Sequence, residues 1–297
     1  MGLCCGTSWG RTSDTRIFSP LLYQLSYGTS FEGCKCKNIW KSETYFLSRP
    51  ATRWLPLLLM NLAIDIGNSR IKWARFAGSE VVESGMTPES DFDALASVIE
   101  FHSSDSLSIS SVVHLSESFV SACSKRNALF INSETLVPLK NEYSTPKTLG
   151  IDRLCAAVGA KSLFPENPVL SIDIGTCIKY EFISGDGVYK GGNISPGLQM
   201  RFASLNNYTS KLPLLKPDKT AGPIGRSTNE ALRLGVQQGM LFEIQAMIET
   251  MRTLHPGLKT VGTGGDLPFF VNDLKTHIFA DLLLVLRGIN EIYLHNS

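Results

Sequence analysis

Two stretches of the chain repeat one pattern of apolar and polar positions. Leu62-Ala63-Ile64 and Val169-Leu170-Ser171-Ile172 are short apolar runs with the character of buried strands, and each ends in Asp-Ile-Gly, at Asp65-Ile66-Gly67 and Asp173-Ile174-Gly175. Beyond each glycine the chain turns and resumes as an alternating strand, Ile71 to Phe76 in the first copy and Ile178 to Phe182 in the second. A third strand follows in each: Glu80 to Ser84, and Gly187 to Lys190 after the turn sequence Ser184-Gly185-Asp186-Gly187. A helical pattern, CAAVGAKSLF, runs on from Asp152-Arg153-Leu154, and Ser227-Thr228-Asn229-Glu230 is a capping box opening a long helix to about Leu254. The repeated meander predicts a duplicated α/β protein, with halves at 60–167 and 168–297.

The first 59 residues do not share this order. They have no sustained helical or strand period and lack the apolar core of a signal peptide. Cys4-Cys5 and Cys34-Lys35-Cys36 lack the two-residue gap of a zinc knuckle. Residues 1–59 are expected to be a disordered upstream extension or a start-site artefact, with translation beginning at Met60; the intact mass of protein made from its native locus decides this.

Composition narrows the partners. The 297 residues carry 43% hydrophobic side chains and a formal net charge of only +1, which points to small molecules rather than nucleic acid or a membrane surface. Trp54 to Ile66, an apolar run near the start, is broken by Pro56 and ends beside Asp65, too short to span a bilayer. Cys123, Cys155 and Cys177 lie in apolar contexts, as buried free thiols of a reducing cytoplasm do.

The repeated turn carries the candidate chemistry. Its glycine lets backbone N–H groups approach an anion closely, Asn68 and Thr176 add side-chain donors, and the aspartate at the strand end can hold a cation beside bound phosphates. Phosphoryl transfer needs this positioning and charge neutralisation. A single Asp-x-Gly is better explained by a plain hairpin turn; two copies at strand ends favour a duplicated fold. This arrangement resembles the actin-like ATPase and sugar-kinase superfamily. The resemblance implies a duplicated ribonuclease-H-like fold, with two mixed-sheet halves holding ATP across a central cleft.

Further motifs sharpen the resemblance. Asp65-Ile66-Gly67-Asn68-Ser69, Gly150-Ile151-Asp152-Arg153 preceded by Tyr143 and Pro146, and Asp173-Ile174-Gly175-Thr176 come first. Gly191-Gly192-Asn193-Ile194-Ser195-Pro196-Gly197, Thr209-Ser210-Lys211-Leu212-Pro213 and Thr263-Gly264-Gly265 follow in order. Together they resemble the type III pantothenate kinases, from Met60 to near the C-terminus. The resemblance implies ATP-dependent phosphorylation of pantothenate, with Asp152 as general base. It implies a pantothenate pocket of Tyr143, Gly150, Ile151, Asp152, Arg153 and Thr209, Arg153 suiting the substrate carboxylate. ATP would be bound by Asp65, Ile66, Gly67, Asn68, Ser69, Arg70, Ile71, Lys72 and Thr176, with Asp65 near Mg2+. Asp173 would hold a monovalent cation, K+ or NH4+, and the protein would be a cytoplasmic homodimer. Alternatives are a non-catalytic transcriptional accessory factor of the same family and a kinase for a sugar or another small hydroxy compound.

Three local expectations complete the reading. Gly235 and Gly239 inside the long helix imply close packing against a neighbouring strand or helix. His114, His255 and His277 have no metal-ligand spacing. Where the family continues with Ala-Thr-Thr and then an Asp, this chain reads Cys177-Ile178-Lys179-Tyr180-Glu181. Strand alternation puts Lys179 and Glu181 on one face, where they would pair with each other, or Lys179 would reach the phosphates or stand in for the monovalent cation.

Overall fold

The computed structural model describes residues 60–68, 70–87, 92–219 and 222–297. The expectations for residues 1–59 and for Ser69 fall outside them. The first sheet opens with an antiparallel meander, β1 (Met60–Ile66), β2 (Ile71–Ala77) and β3 (Glu80–Thr87). After α1 (Phe92–Phe101), β4 (Ser106–Ser111) returns parallel to β1, and after α2 (Glu117–Ser124) the short β5 (Leu129–Phe130) pairs parallel to β4. The strand order is β3-β2-β1-β4-β5.

The second sheet repeats that order. The chain passes through β6 (Lys140–Asn141), a 3-10 turn at Pro146–Thr148 and α3 (Ile151–Leu163) before the second meander, β7 (Val169–Ile174), β8 (Cys177–Ile183) and β9 (Val188–Pro196). Then come α4 (Leu198–Asn207), α5 (Thr228–Leu254), β10 (Lys259–Thr263), α6 (Leu267–Phe270), β11 (Phe279–Ala280) and α7 (Leu284–Asn296). The order is β11-β10-β7-β8-β9-β6, so β9-β8-β7-β10-β11 reproduces β3-β2-β1-β4-β5, with β10 and β11 parallel as β4 and β5 are. The match extends to irregularities: the register shifts between Arg75 and Phe76 on β2, and between the equivalent Phe182 and Ile183 on β8. The duplication read from the two Asp-x-Gly turns is a duplicated mixed-sheet topology.

Burial follows the pattern of the two runs. Leu62, Ala63 and Ile64 on β1, and Val169 and Ile172 on β7, have no exposed surface, because a central strand is covered on both faces. The third strands run further than the sequence pattern indicated, to Thr87 and Pro196, so the Gly191 to Pro196 motif lies on β9 itself. The long helix is α5, with Ser227 as N-cap accepting from Glu230 N at 3.3 Å while Glu230 reaches back to Arg226 N at 2.7 Å.

Chain order and sheet membership do not coincide throughout. Lys140–Asn141 pairs with β9 in the second sheet, whereas α7, from the C-terminal end, packs on β1, β2 and β4 of the first. Helices α3 and α7 cross in contact and share one core with Ala63 and Phe76 of the first sheet and Val169, Ile183, Tyr189 and Val261 of the second. Buried polar side chains pin α7 in place: Asn61 Nδ2 donates to Ser108 Oγ and to Asn290 Oδ1, and Asn290 Nδ2 donates to Gly78 O.

The crossing is as close as backbones allow. A Cβ at Gly159 would stand 2.3 Å from Leu284 O, and one at Gly288 only 1.8 Å from Cys155 O. Gly288→Ala should therefore force α3 and α7 apart and destabilise the fold by about 2 kcal/mol, a fall of roughly 4–8 °C in Tm for a chain of this size. Thermal unfolding followed by circular dichroism checks this, and an unchanged Tm would mean that the crossing is looser than described.

Candidate active site

Each meander presents its aspartate at the end of the central strand, opposite a lysine. The register pairs Asp65 with Lys72 across β1 and β2, and Asp173 with Lys179 across β7 and β8. The turns that follow are closed by backbone bonds, Gly67 N to Arg70 O at 3.1 Å in the first and Gly175 N to Cys177 O at 3.1 Å in the second. Asn68 and Thr176 at the turn tips are exposed. Thr176 O also accepts from Gly197 N at 3.1 Å, so the end of β9 braces the second turn.

The third carboxylate comes from α3. The 3-10 turn and Gly150, which serves as N-cap without a side-chain bond, deliver Asp152 and Arg153 into the first helical turn. They lie over β8, whose alternation sets Lys179 and Glu181 on the same face. Lys179 Nζ donates to Asp152 Oδ2 at 2.7 Å and to Asp173 Oδ2 at 3.0 Å. Glu181 receives Arg153 in a two-bond fork, 2.6 Å from Nε to Oε1 and 2.9 Å from Nη2 to Oε2. The expected Lys179–Glu181 pair is thus replaced by two separate ones. Two adjacent residues of a helix start meet two alternate residues of a strand, and each takes the opposite charge that faces it.

Electrostatics follow from this packing. Burial opposes the charge on Lys179, but Asp173 and Asp152 outweigh it and push its pKa above the ordinary lysine value. Burial likewise opposes the charge on Arg153, and the Glu181 contacts overcome it. Tyr189 Oη donates to Glu181 Oε2 at 2.5 Å, and the guanidinium carbon of Arg153 lies 5.5 Å from the centre of the Tyr143 ring. Arg153 is buried, so its fork is engaged within the protein rather than turned to solvent.

Asp65 is the carboxyl of the three that burial perturbs upward. Its Oδ1 is buried without a hydrogen-bond partner among the described residues. Burial raises its pKa from 3.8 to about 6; Lys72 and Lys179 oppose the rise, while Asp152 and Asp173 add to it. The orphaned Asp65 oxygen could accept from a water bound to a divalent cation, but among the described residues no three His, Cys, Asp or Glu side chains are grouped to hold a metal ion by themselves. Asp173 is different, because one oxygen already accepts from Lys179 and the other lies against the Gly264 turn. There φ is +99°, and an added Cβ would stand 2.5 Å from Asp173 Oδ1.

The structure brings together Asp65, Lys72, Asp152, Asp173, Tyr143 and the stretch Gly150 to Arg153. It does not join Thr209 to them: that exposed residue donates to Leu205 O at 2.6 Å at the end of α4. Cys177 differs from the buried thiol expected, being only partly covered, with its Sγ 3.8 Å from Met200 Sδ. His255 stacks on Phe182 at 4.1 Å between ring centres. Asp266, which the sequence reading passed over, donates from its backbone N to Ile174 O at 2.9 Å behind the second turn. The run Thr263-Gly264-Gly265-Asp266, a strand entering a glycine turn, was the signal for it.

Over most of its described length the chain is similar to known proteins. Residues 61–250 match the family model described as Type III pantothenate kinase. The chain is 43% identical over 240 residues to a type III pantothenate kinase of Phocaeicola vulgatus, covering 80% of this chain and 99% of that protein. A type III pantothenate kinase of Flavobacterium johnsoniae is 40% identical over 237 residues, with 79% and 97% covered. A solved Campylobacter jejuni protein described as a conserved Baf family transcriptional activator shares the fold, with a TM-score of 0.51 and 23% identity over 79% of this chain and 98% of that one.

The raised pKa of Asp65 has a consequence for stability. Between the usual 3.8 and about 6 the folded protein keeps a proton that the unfolded chain has released, so the stability present below that window is lost as pH rises through it. Asp65→Asn, which cannot ionise, should stabilise the nucleotide-free protein by about 1–2 kcal/mol at neutral pH. The gain should vanish once the pH is below the ordinary carboxyl pKa. Scanning calorimetry across pH checks it; a substitution that lowers Tm at neutral pH would contradict the burial assigned to this group.

Proposed function

The chain belongs to the type III pantothenate kinase family, and from that premise we propose that Asp152 is its general base and the three-carboxylate cluster its phosphoryl-transfer centre. The protein is a kinase that phosphorylates pantothenate with ATP and a divalent metal, in the synthesis of coenzyme A. The product is 4′-phosphopantothenate. The observation that carries the assignment of roles is the meeting of Asp65, Asp152 and Asp173 at the ends of β1, α3 and β7.

Asp152 stands in the first turn of α3 with Oδ2 held by Lys179, which fixes the carboxylate's orientation and leaves Oδ1 to accept the proton of the pantothenate primary hydroxyl. The freed oxygen attacks the γ-phosphorus in line, and ADP departs with the electrons of the broken bond. Tyr143, Gly150, Ile151 and Arg153 form the wall behind the base. Arg153 acts there by clamping the start of α3 to Glu181. The residues Asp65 to Lys72 and Thr176 grip the phosphates from the two turns. Asp65 would hold Mg2+ or its hydration water, and the ion would neutralise phosphate charge. Thr209, bonded to Leu205 O beyond the end of α4, stands apart from this group.

A homodimer has support from α5. Ala231, Gly235, Gly239 and Phe242 share an exposed face, Phe242 is 60% exposed, and a Cβ at either glycine would meet no atom within 4 Å. The close intramolecular packing expected of these glycines is absent, because their face of α5 is turned away from the sheets. We read it as the face that meets a second copy.

Two experiments test these assignments. Pantothenate-dependent ADP release by the full chain should fall by about 10²–10⁴-fold in Asp152→Asn with folding unchanged. ATP binding without pantothenate turnover would instead favour the accessory-factor alternative. Light scattering after size exclusion should find a dimer that Gly239→Arg converts to monomer. A wild-type monomer at working concentration would refute the interface.

A further inference from the structure

The geometry points to Lys179 as a built-in cation: its ammonium occupies the position between Asp152 and Asp173 that a monovalent ion would otherwise fill, so that phosphoryl transfer by this chain does not require potassium or ammonium. The inference deepens the kinase assignment and rests on it. Its first support is the pair of bonds, 2.7 Å to Asp152 Oδ2 and 3.0 Å to Asp173 Oδ2, which join the base to the second Asp-x-Gly turn through one positive charge. One of the two Asp173 oxygens is thereby already engaged by Lys179.

The second support is the sheet register. Lys179 is held directly opposite Asp173 by the β7–β8 ladder, as Lys72 is held opposite Asp65 by β1–β2. Both lysines sit on a paired strand rather than a mobile loop, but only the Lys179 ammonium is bonded to its carboxylates, and ordering a side chain already anchored there costs less than capturing a free ion. Lys179, Asp152 and Asp173 are each about one-fifth exposed, so their charges are only partly screened by water. An alkylammonium and a potassium ion neutralise the same single charge. The ammonium also offers three directed donors, of which two are spent on Asp152 and Asp173, leaving one for a substrate oxygen.

The test is a potassium titration of the full chain in buffer whose only other monovalent cation is tetramethylammonium, with ATP, Mg2+ and pantothenate. Wild-type kcat and KM should change by less than about twofold across the titration. Lys179→Met and Lys179→Thr should lose about 10²-fold without potassium and regain a large part of it as potassium is added. A wild-type rate that rises steeply with potassium overturns the inference, as does a Lys179→Met enzyme equally fast without it. The wild-type arm depends on no variant, so misfolding of either substitution leaves the inference open to refutation. A second readout is independent of turnover: potassium should raise the Tm of Lys179→Thr but not of wild type, and a rise in both would overturn it. Absence of turnover in every protein under every salt would sink the kinase assignment instead, with the melting comparison still deciding the cation.

Discussion

Three carboxylates converge in a half-buried site, and their mutual repulsion is the constraint to which the rest of the structure is fitted. Asp65, Asp152 and Asp173 come from the ends of β1, α3 and β7. Lys179 bonds to two of them, whereas Asp65 keeps a buried oxygen unpartnered and a pKa raised to about 6. An incompletely compensated buried carboxylate is costly in the resting protein.

The duplicated sheet is the means by which those groups are brought together. Both repeats carry the strand order, the hairpin register and even the register shift at equivalent positions. The two copies are joined by a core shared between α3 and α7, where glycines at 159 and 288 permit backbone contact. Because α3 bears Asp152, the depth of that crossing sets where this carboxylate stands. Packing far from the turns thereby reaches the chemistry, through a rigid helix.

The candidate site was legible in the sequence where local rules decide it. Asp65 and Asp173 end apolar runs and precede glycine, so their place at strand ends follows from alternation and turn chemistry. Ser227 and Glu230 marked the start of α5 for the same reason. Partners across the fold were not legible. Alternation set Lys179 and Glu181 on one face and invited a pairing between them. Only the first turn of α3, lying over β8, supplied Asp152 to one and Arg153 to the other. Gly235 and Gly239 misled in the same way, since a glycine reports that something small is wanted there and not which surface faces it.

By itself, then, the sequence determined the duplication, the two Asp-x-Gly turns and the residues that make them, because strand period, turn glycines and helix caps act over a few neighbouring positions. Tertiary structure alone decided which charges neutralise one another. Lys179 and Asp152 are separated by 27 positions, and Arg153 and Glu181 by 28. Which of them meet depends on where α3 crosses α7 and how β8 registers on β7, and no local pattern encodes either quantity.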